Sequence, residues 1–184
     1  MNTQIFLIAN QQKTTSEMIS FLNVAFSGTT ISAVLLVQGS LNSVEYEKLA
    51  KTALPIAQKN NCALLLDNCP NLAKKIGADG VHITDDIKIL KQVIKELKPD
   101  MIVGAGNIFS KDDAMIKGES GVDYIFFGEL EKSQNTQTQN IKTNELAMWW
   151  SKTFEVPAVF YDRDNKNDNA NCEFIAINEI GGNE

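Results

Sequence analysis

Residues 63–86 read ALLLDNCPNLAKKIGADGVHITDD. The unbroken apolar run Ala63-Leu64-Leu65-Leu66 ends in Asp67-Asn68, and a second run, Val81-His82-Ile83, ends in Thr84-Asp85-Asp86. Apolar residues without alternation mark a strand buried on both faces, as in a parallel sheet. Between the two runs, Pro70 opens a short helix that stops at Gly77. Proline suits the first helical turn, and glycine suits the residue just past the last. The stretch is a β-α-β unit, and each of its strands delivers a carboxylate at the C-terminal end.

Working outward, the same unit recurs. Strands are expected at 4–10, 31–38, 101–104, 124–127, 158–161 and 174–177, in addition to the two above. The first helix starts at the cap Thr14-Thr15-Ser16-Glu17 and carries Met18, Phe21, Leu22 and Ala25 on one face, stopping before Gly28. A long amphipathic helix spans about 43–58, with Pro55 inside it as a kink site. Ile87, Leu90, Val93, Ile94 and Leu97 give the next helix its apolar stripe, and Ser110 caps a short one ending at Gly118. The polar stretch EKSQNTQTQNIKTN, 131–144, has no apolar periodicity and reads as a mobile loop before a helix at 145–154. Eight strands alternating with helices point to a compact (β/α)8 TIM barrel, with weak or missing helices after strands seven and eight. An open doubly wound sheet is the rival architecture.

At 184 residues the chain is expected to be a single domain spanning 1–184, and its composition, 43% hydrophobic and 22% charged, is ordinary for a soluble globular protein. No apolar run approaches the length of a bilayer span, and the N-terminus lacks the basic and cleavage regions of a signal peptide. Cys62, Cys69 and Cys172 form no CxxC and leave one unpaired, which suits a reducing cytoplasm. With a net charge of −6 and no basic patch, neither nucleic acid nor an anionic membrane is an expected partner.

The order LLLDN, short helix, GADGVHI, helix, IVGAGN, helix, GVDYIFFGEL resembles the thiamine-phosphate synthase and TenI family. The resemblance is strongest from Ala63 to Leu130. It implies a (β/α)8 barrel, commonly dimeric, acting in thiamine biosynthesis. A synthase of this kind joins a phosphorylated pyrimidine to a phosphorylated thiazole and expels pyrophosphate with the help of Mg²⁺. Such chemistry needs carboxylates for the metal, together with cations and N–H donors for two anionic groups.

Mapped onto this chain, the resemblance makes Asp67 and either Asp85 or Asp86 the metal ligands. All three fall where a barrel keeps its active site, at the C-terminal ends of strands. The competing reading is that Asp86 and Asp67 cap the helices that follow them. Gln38, Asn107, Lys132 and Arg163 are the candidate substrate-binding residues. Glu129 stands where the TenI branch has its acid/base group, or is a solvated rim residue. His82, the only histidine, is expected to belong to the barrel framework, and Trp149-Trp150 to helix packing or a dimer contact.

The rest of the site departs from the family pattern. The end of strand two, Val37-Gln38-Gly39-Ser40, has no cation, Gly106 stands where a serine is usual, and Tyr161-Asp162-Arg163-Asp164 replaces a Gly-Gly phosphate cradle. Gly181-Gly182 is the weak substitute for that cradle. These losses point to a degenerate site with doubtful synthase turnover, or to a non-catalytic binding or regulatory barrel. An uncovered barrel face implies a homodimer.

Overall fold

The computed structural model describes residues 3–9, 14–130, 136–161 and 172–178. In chain order it has β1 (Gln4–Ala9), α1 (Thr15–Gly28), β2 (Ile31–Leu36), α2 (Ser43–Lys59), β3 (Ala63–Asp67), α3 (Pro70–Ile76) and β4 (Gly80–Ile83). Then follow α4 (Ile87–Leu97), β5 (Ile102–Ala105), α5 (Lys111–Gly118), β6 (Tyr124–Phe127), α6 (Thr136–Thr153), β7 (Ala158–Tyr161) and β8 (Phe174–Ile177). The eight strands are parallel, each paired with the next, and β8 pairs with β1 to close the barrel. The open doubly wound sheet is thereby excluded.

Local chemistry sets the helix ends. Thr14 and Glu17 form a reciprocal capping box at α1, and Asn42 and Glu45 form another at α2. Pro55 sits inside a single continuous α2. Pro70 occupies the first turn of α3, and Gly77 ends it in the left-handed conformation, φ 73°. Ser110 caps α5 as the sequence implies.

Alternate strand residues divide between two cores. Phe6, Ile8, Leu35, Leu65, Phe126 and Val159 fill the barrel interior. Leu7, Val34, Leu64, Val81 and Val103 face the helices, where Leu22, Leu49, Leu90 and Trp150 cover them. Trp150 is buried, stacks on Phe154 at 4.1 Å and donates its indole N–H to the Val156 carbonyl at 2.7 Å. That satisfies the one polar atom of a large apolar side chain and agrees with the packing role expected of the tryptophan pair.

One expectation needs correction. The stretch 131–144 is not wholly a loop, because α6 begins at Thr136, nine residues before its expected start at 145. Once a helix is nucleated by a packed half, each added residue gains a hydrogen bond without a new nucleation cost. A polar sequence therefore extends it with no apolar stripe to announce the extension. The connection after β7, where a weak helix was expected, lies outside the described residues.

Candidate active site

The C-terminal ends of β2 to β5 are joined by one chain of hydrogen bonds. The Gln38 N–H donates to Asp67 Oδ2 at 3.3 Å, and the Asn68 amide nitrogen donates to Asp67 Oδ1 at 2.8 Å. The same nitrogen donates to Thr84 Oγ1 at 2.7 Å, while the Thr84 N–H donates to Asn68 Oδ1 at 2.9 Å. Asn107 completes the rim by donating from Nδ2 to the Thr84 carbonyl at 3.0 Å. Asn68 and Asn107 hold left-handed backbones, φ 48° and 54°, which asparagine tolerates better than most residues.

Two buried side chains brace this rim from behind. The Tyr46 hydroxyl, carried on α2, donates to the Leu36 carbonyl at 2.5 Å and accepts the Asp67 N–H at 2.9 Å. Burial pushes its pKa well above the usual tyrosine value, so it stays a neutral bridge between β2 and β3. Lys117 of α5 is 7% exposed. Its Nζ donates to the carbonyls of Gly106 and Asn107 at 2.9 and 3.0 Å, with Asp113 Oδ1 at 3.6 Å. This lysine, absent from the sequence-derived candidates, lies on the inward face of α5 with Ala114 and Gly118. A lysine three residues beyond a buried alanine was its signal.

The predicted residues separate as follows. Asp67 is part of the rim and is not the cap of α3. Cys69 is the residue before Pro70, and it makes no side-chain cap bond. Asp86 is a cap, its Oδ1 accepting from the Lys88 and Ile89 N–H groups at 2.8 and 3.1 Å, and these two bonds lower its pKa. Asp85 is exposed. Gln38 uses its amide locally, donating to the Leu41 carbonyl at 3.0 Å and accepting from the Cys69 thiol at 3.4 Å. Asn107 reaches the rim. Glu129 is half-buried after Gly128, whose φ is 141°. Lys132 and Arg163 lie outside the described residues, as do Asp162, Gly181 and Gly182.

Below the rim, inside the barrel, His82 is fully buried. Its Nδ1 bonds the Tyr124 hydroxyl at 2.9 Å, its ring stacks on Tyr124 at 5.8 Å and meets Phe126 edge-on at 5.1 Å. Tyr124 reaches His82 across β5 because Gly104 has no side chain. A Cβ there would lie 1.9 Å from the Tyr124 ring. Desolvation, helped by the Lys117 charge, lowers the imidazole pKa to about 3. Nε2 is buried without a partner, a situation that costs about 1–3 kcal/mol.

A family model described as thiamine monophosphate synthase matches residues 5–161. The chain belongs to that family. Among curated relatives, the thiamine-phosphate synthase of Rhodospirillum centenum is 31% identical over 105 residues, covering 57% of this chain and 51% of its own. That of Erythrobacter litoralis is 32% identical over 117 residues, covering 62% of this chain and 55% of its own. The chain thus spans about half the length of the curated relatives it matches. A solved thiamine phosphate pyrophosphorylase from Pyrococcus furiosus superposes with a TM-score of 0.72 at 17% identity, covering 95% of this chain and 85% of that one. At that identity the likeness is one of fold.

The family implies Mg²⁺, and Asp67 with Asp86 does not fit as a two-carboxylate clamp for it, while Asp85 is exposed beside them. Asp67 gives one oxygen to a backbone N–H and the other to an amide, while Asp86 faces the amides of α4. Among the described residues no group of three or more His, Cys, Asp or Glu converges on a point. Nor is any helix among them long and apolar enough to cross a membrane.

Proposed function

We propose that this thiamine monophosphate synthase family member binds a phosphorylated pyrimidine or thiazole at the C-terminal mouth of its barrel and has lost synthase turnover. The observation that carries this reading is the division of labour between Asp67 and Asp86. One is bonded into the rim and the other is used as a helix cap, so the pair offers no ready clamp for Mg²⁺ and a departing pyrophosphate. The absence of any cation in Val37-Gln38-Gly39-Ser40 points the same way, since a leaving group with multiple charges needs compensation. The buried Lys117 does not supply it, being committed to two carbonyls.

What this chain's own residues do is hold shape. Asn68 and Thr84 fix the β3 and β4 ends against each other, and Asn107 fixes β5 to them. A ligand meets a rigid wall on that side. The test is a coupling assay with the pyrimidine pyrophosphate and thiazole phosphate in the presence of Mg²⁺, run beside calorimetry of each compound alone. Binding without thiamine phosphate above the enzyme-free control is the expected result. Turnover that is abolished by Asp67→Asn would overturn the proposal. The protein is further expected to pair with a second copy in solution, and a monomer by light scattering would count against that.

A further inference from the structure

We propose that the outer face formed by α4 and α5 is where a second copy of this chain docks, α4 of each copy lying against α5 of the other. The inference rests on the pairing expected above and names the surface for it. The two helices are neighbours on the outside of the barrel. Phe109, just ahead of α5, is 68% exposed, and Ile116 on α5 is 53% exposed. The charges around them are sorted by helix. α4 exposes Lys88, Lys91 and Lys95 with a single carboxylate, Glu96. α5 and its C-cap expose Asp112 and Glu119 with a single cation, Lys111, whose Nζ lies 4.7 Å from the Trp149 ring on α6, on the side away from α4. Among the described residues, no ion pair uses Lys88, Lys91, Lys95, Asp112 or Glu119.

Two of these charges oppose their own helices. Lys88 is the second residue of α4 and Glu119 is the C-cap of α5, whereas a helix favours an anion at its start and a cation at its end. Neither charge stabilises the helix that carries it. Their spacing suits a copy of the same surface. Lys88 and Asp112 are each the second residue of their helix, and Lys95 and Glu119 follow seven residues later, about 10 Å down the axis. A two-fold axis parallel to the helices sets α4 opposite α5 of the other copy, both running the same way. Lys88 then meets Asp112 at one level, Lys95 meets Glu119 two turns below, and the symmetry repeats both pairs. Ile116 falls between the two levels, against the aliphatic stems of the lysines. Exposed ion pairs add little each, so burial of Phe109 and Ile116 supplies the attraction. The charges set the register, because α4 opposed to α4 would place lysines against lysines.

Sedimentation velocity at low salt, over a range of protein concentrations, reads the association. The unmodified protein is expected to dimerise. Lys88→Glu with Lys95→Glu, and separately Asp112→Lys with Glu119→Lys, each bring like charges face to face and should weaken self-association by roughly tenfold or more. Mixed in equal amounts, the two variants present opposite charges at both contacts and should recover a dimer containing one of each. Ile116→Asp should weaken self-association to a similar degree. All five sites are exposed, so the circular dichroism of every variant should match that of the unmodified protein. A dimer that tolerates either charge reversal, or a mixture of folded variants that stays monomeric, overturns the inference and leaves pairing through another surface. An unmodified protein that is monomeric removes the expectation of pairing, and the inference with it. Neither result bears on ligand binding at the mouth.

Discussion

The two ends of the barrel use carboxylates in opposite ways. At the N-terminal end, Asp79, Asp123 and Glu173 each precede an even-numbered strand and accept an N–H from the start of the odd strand before it. The donors are Leu64 and Val103, both at 2.8 Å, and Ala158 at 2.9 Å. This is one solution repeated three times, and it explains the recurrence of Gly-Ala-Asp and Gly-Val-Asp ahead of β4 and β6. At the C-terminal end, Asp67 and Asp86 look alike in sequence and do unrelated work. Repetition at one end marks scaffold, while at the other a rim residue and a helix cap share only a residue type.

The largest effect expected from this contrast is acid sensitivity seated at the mouth end. His82 has its pKa lowered to about 3 from an ordinary 6.5. Between those values the unfolded chain binds a proton that the folded protein refuses, so stability falls as pH drops from 6.5 towards 3. Its contribution is on the order of a few kcal/mol across that window. Urea denaturation at several pH values should show the slope, and His82→Gln should flatten it. An unchanged slope would remove His82 from the account.

Next comes the scaffold end. Asp79→Ala leaves the Leu64 N–H without its charged acceptor and should cost about 2 kcal/mol in urea denaturation. Asp86→Ala, the loss of a helix cap, should cost about 1 kcal/mol. It should leave the Mg²⁺ dependence of any ligand binding unchanged in calorimetry, and a change there would restore Asp86 as a metal ligand. The smallest effect is expected for Asp67→Asn, about 0.5 kcal/mol, because the amide loses one of two accepted bonds but does so at a half-exposed site where water can replace it. If Asp67→Asn proves as costly as Asp79→Ala, the contrast between the two ends is broken.

The order of strands was legible in the sequence because parallel strands buried on both faces read as short apolar runs between punctuated helices. The site was less so. Asp67 and Asp86 each follow an apolar run, and only the helix start separates their fates. Pro70 in the first turn of α3 puts the cap at Cys69, two residues past Asp67, a clue present in the chain from the outset. Asp67 and Asn107 could be picked out, but the bonding that joins the rim could not be read. Asn68, Thr84 and Asn107 are 16 and 23 residues apart in sequence, and they meet only because β3, β4 and β5 are neighbours in the closed sheet. Tyr46 likewise acts on the residues ending two strands from a helix between them. The start of α6 was hidden for another reason, since its first turns lack the apolar spacing that identifies a helix.

Both tryptophans of the chain sit side by side on α6, ring to ring with Phe154 and against Phe127 of β6. Intrinsic fluorescence will therefore report on a single corner of the barrel, the seam of α6 with β6 and β7. Circular dichroism reports on all eight strands at once. If the two signals lose their native values at different urea concentrations, the barrel opens at that seam before it unfolds as a whole.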